Sequence, residues 1–230
     1  MKRTKNLFVV FVTIISILSF SLTASATPQP SLNVASFDKQ LVKVVTYPEE
    51  KNIDKLVQLA LKQKKVSPSK NSDSLQARQL LQEKTFSDGY TEKYYALSSI
   101  PGSQSKSNGK YDIGAVVTMY YTIYGTAPYY SDAKTKVDRV TATINDAGQD
   151  PKYVSKIEMF YHGFLNPQTP QVDRYSTINN PSSGSVYTLF ANDSTLYYTS
   201  GFASVNGGAV LTFSDDTKLG TNNELTIVLY

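Results

Sequence analysis

The single histidine, His162, lies in Phe160-Tyr161-His162-Gly163. Acyl-transfer chemistry would use it as a general base, with a serine as nucleophile and a carboxylate such as Glu158 or Asp173 to orient the ring. No nucleophile-elbow sequence singles out one serine, so His162 reads as a polar residue at a strand end. Zinc chemistry is disfavoured by a chain with no cysteine and one histidine. Calcium needs only oxygen ligands, which Asp146 with Asp150, or Asp215 with Asp216, would offer. Neither pair fits an EF-hand loop, and aspartates in turns usually bond their own backbone, so neither a metal nor a cofactor is expected.

Tyrosine is the residue type that stands out. Tyr120 and Tyr124 alternate with Thr118 and Thr122, and Tyr129 and Tyr130 follow Pro128 in a loop that turns back toward the same strand end. Tyr197-Tyr198 is a further pair. A tyrosine offers a flat apolar body with a polar tip, suited to partly wet contacts with a sugar or a protein. It also favours strands for their own sake, where cross-strand aromatic and threonine pairs stabilise a solvated face. Tyr120, Tyr124, Tyr129 and Tyr130 are the candidate binding residues, and partial exposure of Tyr120 and Tyr124 is the geometry this reading requires.

The elements that would carry these residues fall into two regimes. All 12 glycines lie at Gly89 or later, and of the 17 tyrosines only Tyr47 comes earlier. In the first regime Ile53, Leu56, Val57 and Ala60 recur at helical spacing, giving an amphipathic helix over about 52–65 that Ser67-Pro68-Ser69 stops. Asp73 with Gln76 resembles a capping box, and Ala77, Leu80, Leu81 and Lys84 continue the spacing, so a second helix and a small helical hairpin are expected. The run from Val34 to Tyr47 is ambiguous and reads as one strand.

The second regime consists of short β-rich runs separated by turn residues such as Pro101-Gly102, Asn180-Pro181 and Gly207-Gly208. That pattern, without crossover helices, predicts a mainly β protein built as an antiparallel sandwich or barrel. Alternation assigns Val117, Met119, Tyr121 and Ile123 to one face of their strand. It does the same for Val140, Ala142 and Ile144, and for Ile157, Met159 and Tyr161.

Ahead of both regimes, Lys2, Arg3 and Lys5 precede an apolar stretch from Leu7 to Leu22, and Ala24-Ser25-Ala26 supplies small residues for cleavage. This reads as a secretory signal peptide. The formal charge of +4 drops to about +1 without those three cations, which excludes the basic footprint of a nucleic-acid binder. The expected organisation is a signal peptide over 1–26, a helical segment over 27–88 and a β-sandwich domain over 89–230.

Export, the absence of cysteine and the tyrosine pattern together suggest a secreted, non-enzymatic binding protein of bacterial type. It would recognise cell-wall glycan or a protein surface and would not stay in the membrane after cleavage. A secreted hydrolase with an Asp/Glu site is the rival, as is a β-domain regulated by a propeptide-like helical segment. The first consequence to test is the mature N-terminus: intact-mass measurement of the exported protein is expected to give a chain starting at Thr27, and an exported species retaining Met1 to Ala26 would refute it.

Overall fold

The computed structural model describes residues 40–66, 74–101, 115–126, 133–145, 148–149, 152–166, 169–195, 197–198, 204–221 and 225–229. The segment expected to be a signal peptide, Tyr129, Tyr130, Asp146 and Asp150 lie outside the described residues. In chain order the elements are β1 (Leu41–Thr46), α1 (Ile53–Val66), β2 (Ser74–Phe86), β3 (Tyr90–Pro101), β4 (Ala115–Thr126), β5 (Lys134–Ile144) and β6 (Gly148–Gln149). There follow β7 (Lys152–Asn166), β8 (Thr169–Asn179), β9 (Ser185–Phe190), β10 (Tyr197–Tyr198), β11 (Ser204–Phe213), β12 (Lys218–Leu219) and β13 (Thr226–Leu229).

The protein is mainly β, with antiparallel pairing throughout the described strands. A larger sheet runs β1-β2-β3-β4-β5-β10, with β9 also on β5. A smaller one runs β12-β11-β7-β6, with β13 on β11 and β8 on β7. One continuous apolar core takes Val117, Met119, Val140 and Ala142 from the larger sheet and Ile157, Met159, Leu211 and Ile227 from the smaller. The faces assigned by alternation in β4, β5 and β7 are thus the faces that are buried. Gly207 in β11 shows how closely the sheets approach: a Cβ there would come within 2.6 Å of Met119 Cε and 2.7 Å of Val140 Cγ2.

The larger sheet is also covered on its other face. Helix α1 begins at Asn52, whose Oδ1 accepts from the Lys55 amide at 3.2 Å, and Asp54 in the first turn suits the helix dipole. Its buried Leu56 and Ala60 pack on Ala77, Ile100 and Val116 of the sheet. The Gln63 side chain locks the contact, accepting from Arg78 N at 2.8 Å and donating to Arg78 O at 2.7 Å.

The expected second helix is a strand. β2 pairs with β3 from Ser74↔Pro101 to Thr85↔Thr91, and the pairing shifts between Leu80 and Gln82. That shift is a β-bulge at Leu81: Leu80 pairs with Tyr95, whereas Leu81 packs with Ala96 and Tyr120 on the opposite face. Ala77 and Leu81 share the covered face and Leu80 lies on the other, so a strand with apolar residues on both faces imitates helical spacing. Good helix formers in this stretch yield to the tertiary ladder. There is no helical hairpin in the described residues, only α1, and the expected boundary at 88/89 falls in the turn joining β2 to β3.

Because β2 stands between β1 and β3, and α1 covers Ile100 and Val116, the residues before 89 bear directly on the core. Leu56→Ala is expected to cost about 2–4 kcal/mol in urea unfolding, the usual range for a fully buried leucine. A cost below about 1 kcal/mol would mean that the helix is a loose appendage.

Candidate functional site

A cleft of about 650 Å³ opens on the outer face of the larger sheet. Its floor follows from strand register: Tyr94, Thr122 and Lys136 form one cross-strand row, and Glu92, Tyr124 and Lys134 form the next. Its wall is the segment after β9, with Phe190, Asn192, Asp193 and Ser194. Phe190 is 55% exposed, whereas Tyr94 and Tyr124 are half-buried.

A second bulge shapes the floor. Between Tyr120↔Arg139 and Tyr121↔Val137 the strand β5 has one extra residue, Asp138. Bulges re-aim side chains beside sites. Here Asp138 meets the Tyr94 hydroxyl at 3.4 Å and the Arg139 guanidinium at 2.5 Å. The Asp138 carbonyl also accepts from Ala191 N at 3.0 Å, tying the wall to the floor.

The wall is fixed from beneath by Asp193, a carboxylate only 6% exposed. Asp193 Oδ2 accepts from Tyr161 of β7 at 2.8 Å and from Tyr197 of β10 at 2.5 Å, and its Oδ1 accepts from Thr195 N at 2.9 Å. Burial alone would raise its pKa, but the Tyr197 hydroxyl, the Thr195 amide and the Tyr161 hydroxyl outweigh that and hold it below the ordinary carboxylate value. The tyrosines shift the other way: burial, reinforced by the anion, pushes Tyr197 up to about 12 and Tyr161 higher still. Gly163 makes room for this cluster, since a Cβ there would overlap the Tyr197 hydroxyl.

Of the four tyrosines expected to form a binding face, Tyr124 lines the cleft. Tyr120 is buried, at 7% exposure, which corrects the expectation that it would be partly exposed. It does lie on the face opposite the sheet core, as alternation requires, but that face is covered there. Its hydroxyl donates to Glu49 Oε1 at 2.6 Å, Arg139 lies 4.0 Å over its ring, and Tyr94 stacks beside it. Desolvation, with Glu49 adding to it, pushes the Tyr120 hydroxyl pKa far up. The covering segment is the connector into α1, held by Gln79, which accepts from Glu50 N at 2.8 Å and donates to Glu50 O at 3.1 Å. Tyr197 is buried at the Asp193 cluster.

His162 is on the outer face of the smaller sheet. Its Nδ1 lies 2.6 Å from Asp173 Oδ1, its β8 partner in register, while Glu158 pairs with Lys156 at 3.1 Å. Phe160, Phe164 and Tyr175 surround the ring. Asp215 bonds within its own turn, accepting from Thr217 N at 3.2 Å and Thr217 Oγ1 at 2.6 Å. Tyr94, Asp138, Phe190 and Asp193 are cleft residues that sequence reasoning missed. Phe190 ends a recognisable strand, but nothing in the sequence tells that its ring would wall a cleft on the outer face of its sheet.

No family model matches this chain, and no curated protein or solved structure does either.

The Asp193 cluster predicts an acid-labile wall. A carboxyl whose pKa is lower in the folded than in the unfolded chain adds stability above the unfolded value, and that stability is lost as pH falls through the folded one. Asp193→Asn is therefore expected to lower the melting temperature at pH 7 and to flatten its decline below about pH 4. An unchanged slope in a pH series of thermal melts would show that the carboxylate is not what holds the segment.

Proposed function

We propose that this chain is a secreted, non-enzymatic binding protein, with a β-sandwich as its main body, that holds a glycan in the cleft beside Tyr124. The observation carrying this reading is the convergence of the Tyr94, Tyr124 and Phe190 rings on one open cleft whose rim is polar. A sugar ring presents apolar C–H faces and equatorial hydroxyls. Aromatic planes beside Thr122, Asn192 and Ser194 match both, whereas a flat protein contact would want a broader apolar patch.

The carboxylates of the cleft favour binding over hydrolysis. Glycoside hydrolysis needs one carboxyl kept protonated as an acid and a second available as base or nucleophile. Asp193 is held ionised and is saturated by three donors, and Asp138 is engaged by Arg139 and Tyr94. His162 belongs to the other sheet and has no part in the cleft. Its replacement by alanine is expected to leave binding unchanged. The regulated-domain alternative is less favoured, because the segment that a removable cover would have to include supplies strand β2 of the larger sheet.

The test is sedimentation with insoluble cell wall. The wild-type protein is expected to co-sediment, and the Tyr124→Ala, Phe190→Ala double variant to bind more weakly by about 1–2 kcal/mol, as for paired aromatic hot spots. Both side chains are at least partly solvated, so the melting temperature should move little. Equal co-sedimentation by a folded double variant would end the proposal for this cleft.

A further inference from the structure

We infer that the ligand of this cleft is an acidic saccharide, a sugar carrying a carboxylate or phosphate, with Lys136 as the residue that reads its charge; this rests on the glycan-binding reading above. The charged side chains around the cleft have internal hydrogen-bond or ion-pair partners, with one exception among the described residues. Asp138 has the Arg139 guanidinium and the Tyr94 hydroxyl. Asp193 has two tyrosine hydroxyls and a backbone amide. Glu92, in the neighbouring row, has Lys84 at 3.2 Å. Lys136 lines the same cleft and has neither an ion-pair nor a hydrogen-bond partner among the described residues.

Its placement gives that ammonium a direction of use. Lys136 pairs with Thr122 in β4, and Thr122 pairs with Tyr94 in β3, so all three side chains rise from the outer face in one row. Tyr124 occupies the next row, two residues along β4. A saccharide lying against Tyr124 and Phe190 would place a ring substituent within reach of a long flexible lysine stem. Asp193 keeps its charge but turns its oxygens to internal donors, whereas the Lys136 ammonium has no internal partner among the described residues and is open to direct contact with an anion. The cleft therefore presents, among the described residues, one positive group open to direct contact beside aromatic planes, and an ion pair with it favours a negatively charged sugar over a neutral one of the same size. A lysine acts as a point charge and serves carboxylate and phosphate alike.

The experiment uses the full exported chain and affinity electrophoresis with three polymers. Polygalacturonate carries a carboxylate on each sugar, its fully methyl-esterified form has the same backbone without the charge, and a glycosylated poly(ribitol phosphate) carries phosphodiesters. Wild type is expected to bind an acidic polymer at least about tenfold more tightly than the ester, and this preference should shrink as salt is raised. Whichever acidic polymer is retained more strongly identifies the source of the anion. Lys136→Gln should remove the preference, bringing acid and ester to the same affinity, and Tyr124→Ala should weaken binding to acid and ester together.

Equal affinity for acid and ester, or a preference that survives Lys136→Gln, overturns the acidic-ligand assignment but leaves the aromatic site standing. Binding of the polymers that is indifferent to Tyr124→Ala in a folded variant overturns the glycan reading as well. Failure of wild type to bind any of the three at millimolar sugar concentration overturns both.

Discussion

One buried carboxylate fixes the wall of the cleft on the outer face of the larger sheet. Asp193 takes hydrogen bonds from Tyr161 of the smaller sheet and Tyr197 of the larger one, so a single anion joins both sheets to the segment that walls the cleft. Burying a charge is costly unless donors replace the water it loses. Two hydroxyls and an amide do this, and bonds to an ionised acceptor are about twice as strong as neutral ones. The arrangement has no tolerance for bulk, since any side chain at Gly163 would intrude on Tyr197. Asn192 and Ser194 flank this anchored group, whereas Phe190 is placed by the pairing of β9 with β5.

The second constraint is that the larger sheet has two buried faces over part of its area. β4 is buried continuously from Ala115 to Tyr121, with alternate residues facing the smaller sheet and α1. Only beyond Tyr121, past the reach of the helix and its connector, do side chains regain contact with solvent. The bulges at Leu81 and Asp138 lie near this transition. One returns Leu81 to the covered side next to Tyr120, and the other sends Asp138 toward Tyr94. The cleft thus begins where the cover ends.

How much of this the sequence reveals depends on the range of the interaction concerned. Alternation is a local property, and it identifies the core faces of β4, β5 and β7 correctly from Met119, Val140 and Ile157 outward. It fails for β2, where apolar residues on both faces, Ala77 and Leu81 on one and Leu80 on the other, read as a plausible helical pattern. The Asp193 cluster is not legible, because its partners are 32 and 4 residues away and nothing local tells a turn aspartate from a buried one. His162 and Asp173 were recognisable as a pair worth considering, and register brings them together. What the sequence could not show is that they lie on the sheet opposite the aromatic cleft.

Tyr120 and Tyr124 make the same point within a single strand. They have the same side-chain chemistry and point to the same face, yet one is sealed and the other lines a cleft. The difference comes from a residue 71 positions away, Glu49, which reaches the Tyr120 hydroxyl, while Gln79 holds the adjoining Glu50 backbone in place. Sealing Tyr120 has a consequence for its neighbours. With Arg139 stacked on that ring and paired to Asp138, the guanidinium is spoken for, and among the described residues lining the cleft the cation without a partner is Lys136. A tyrosine withdrawn from the surface therefore helps decide which cation remains on it.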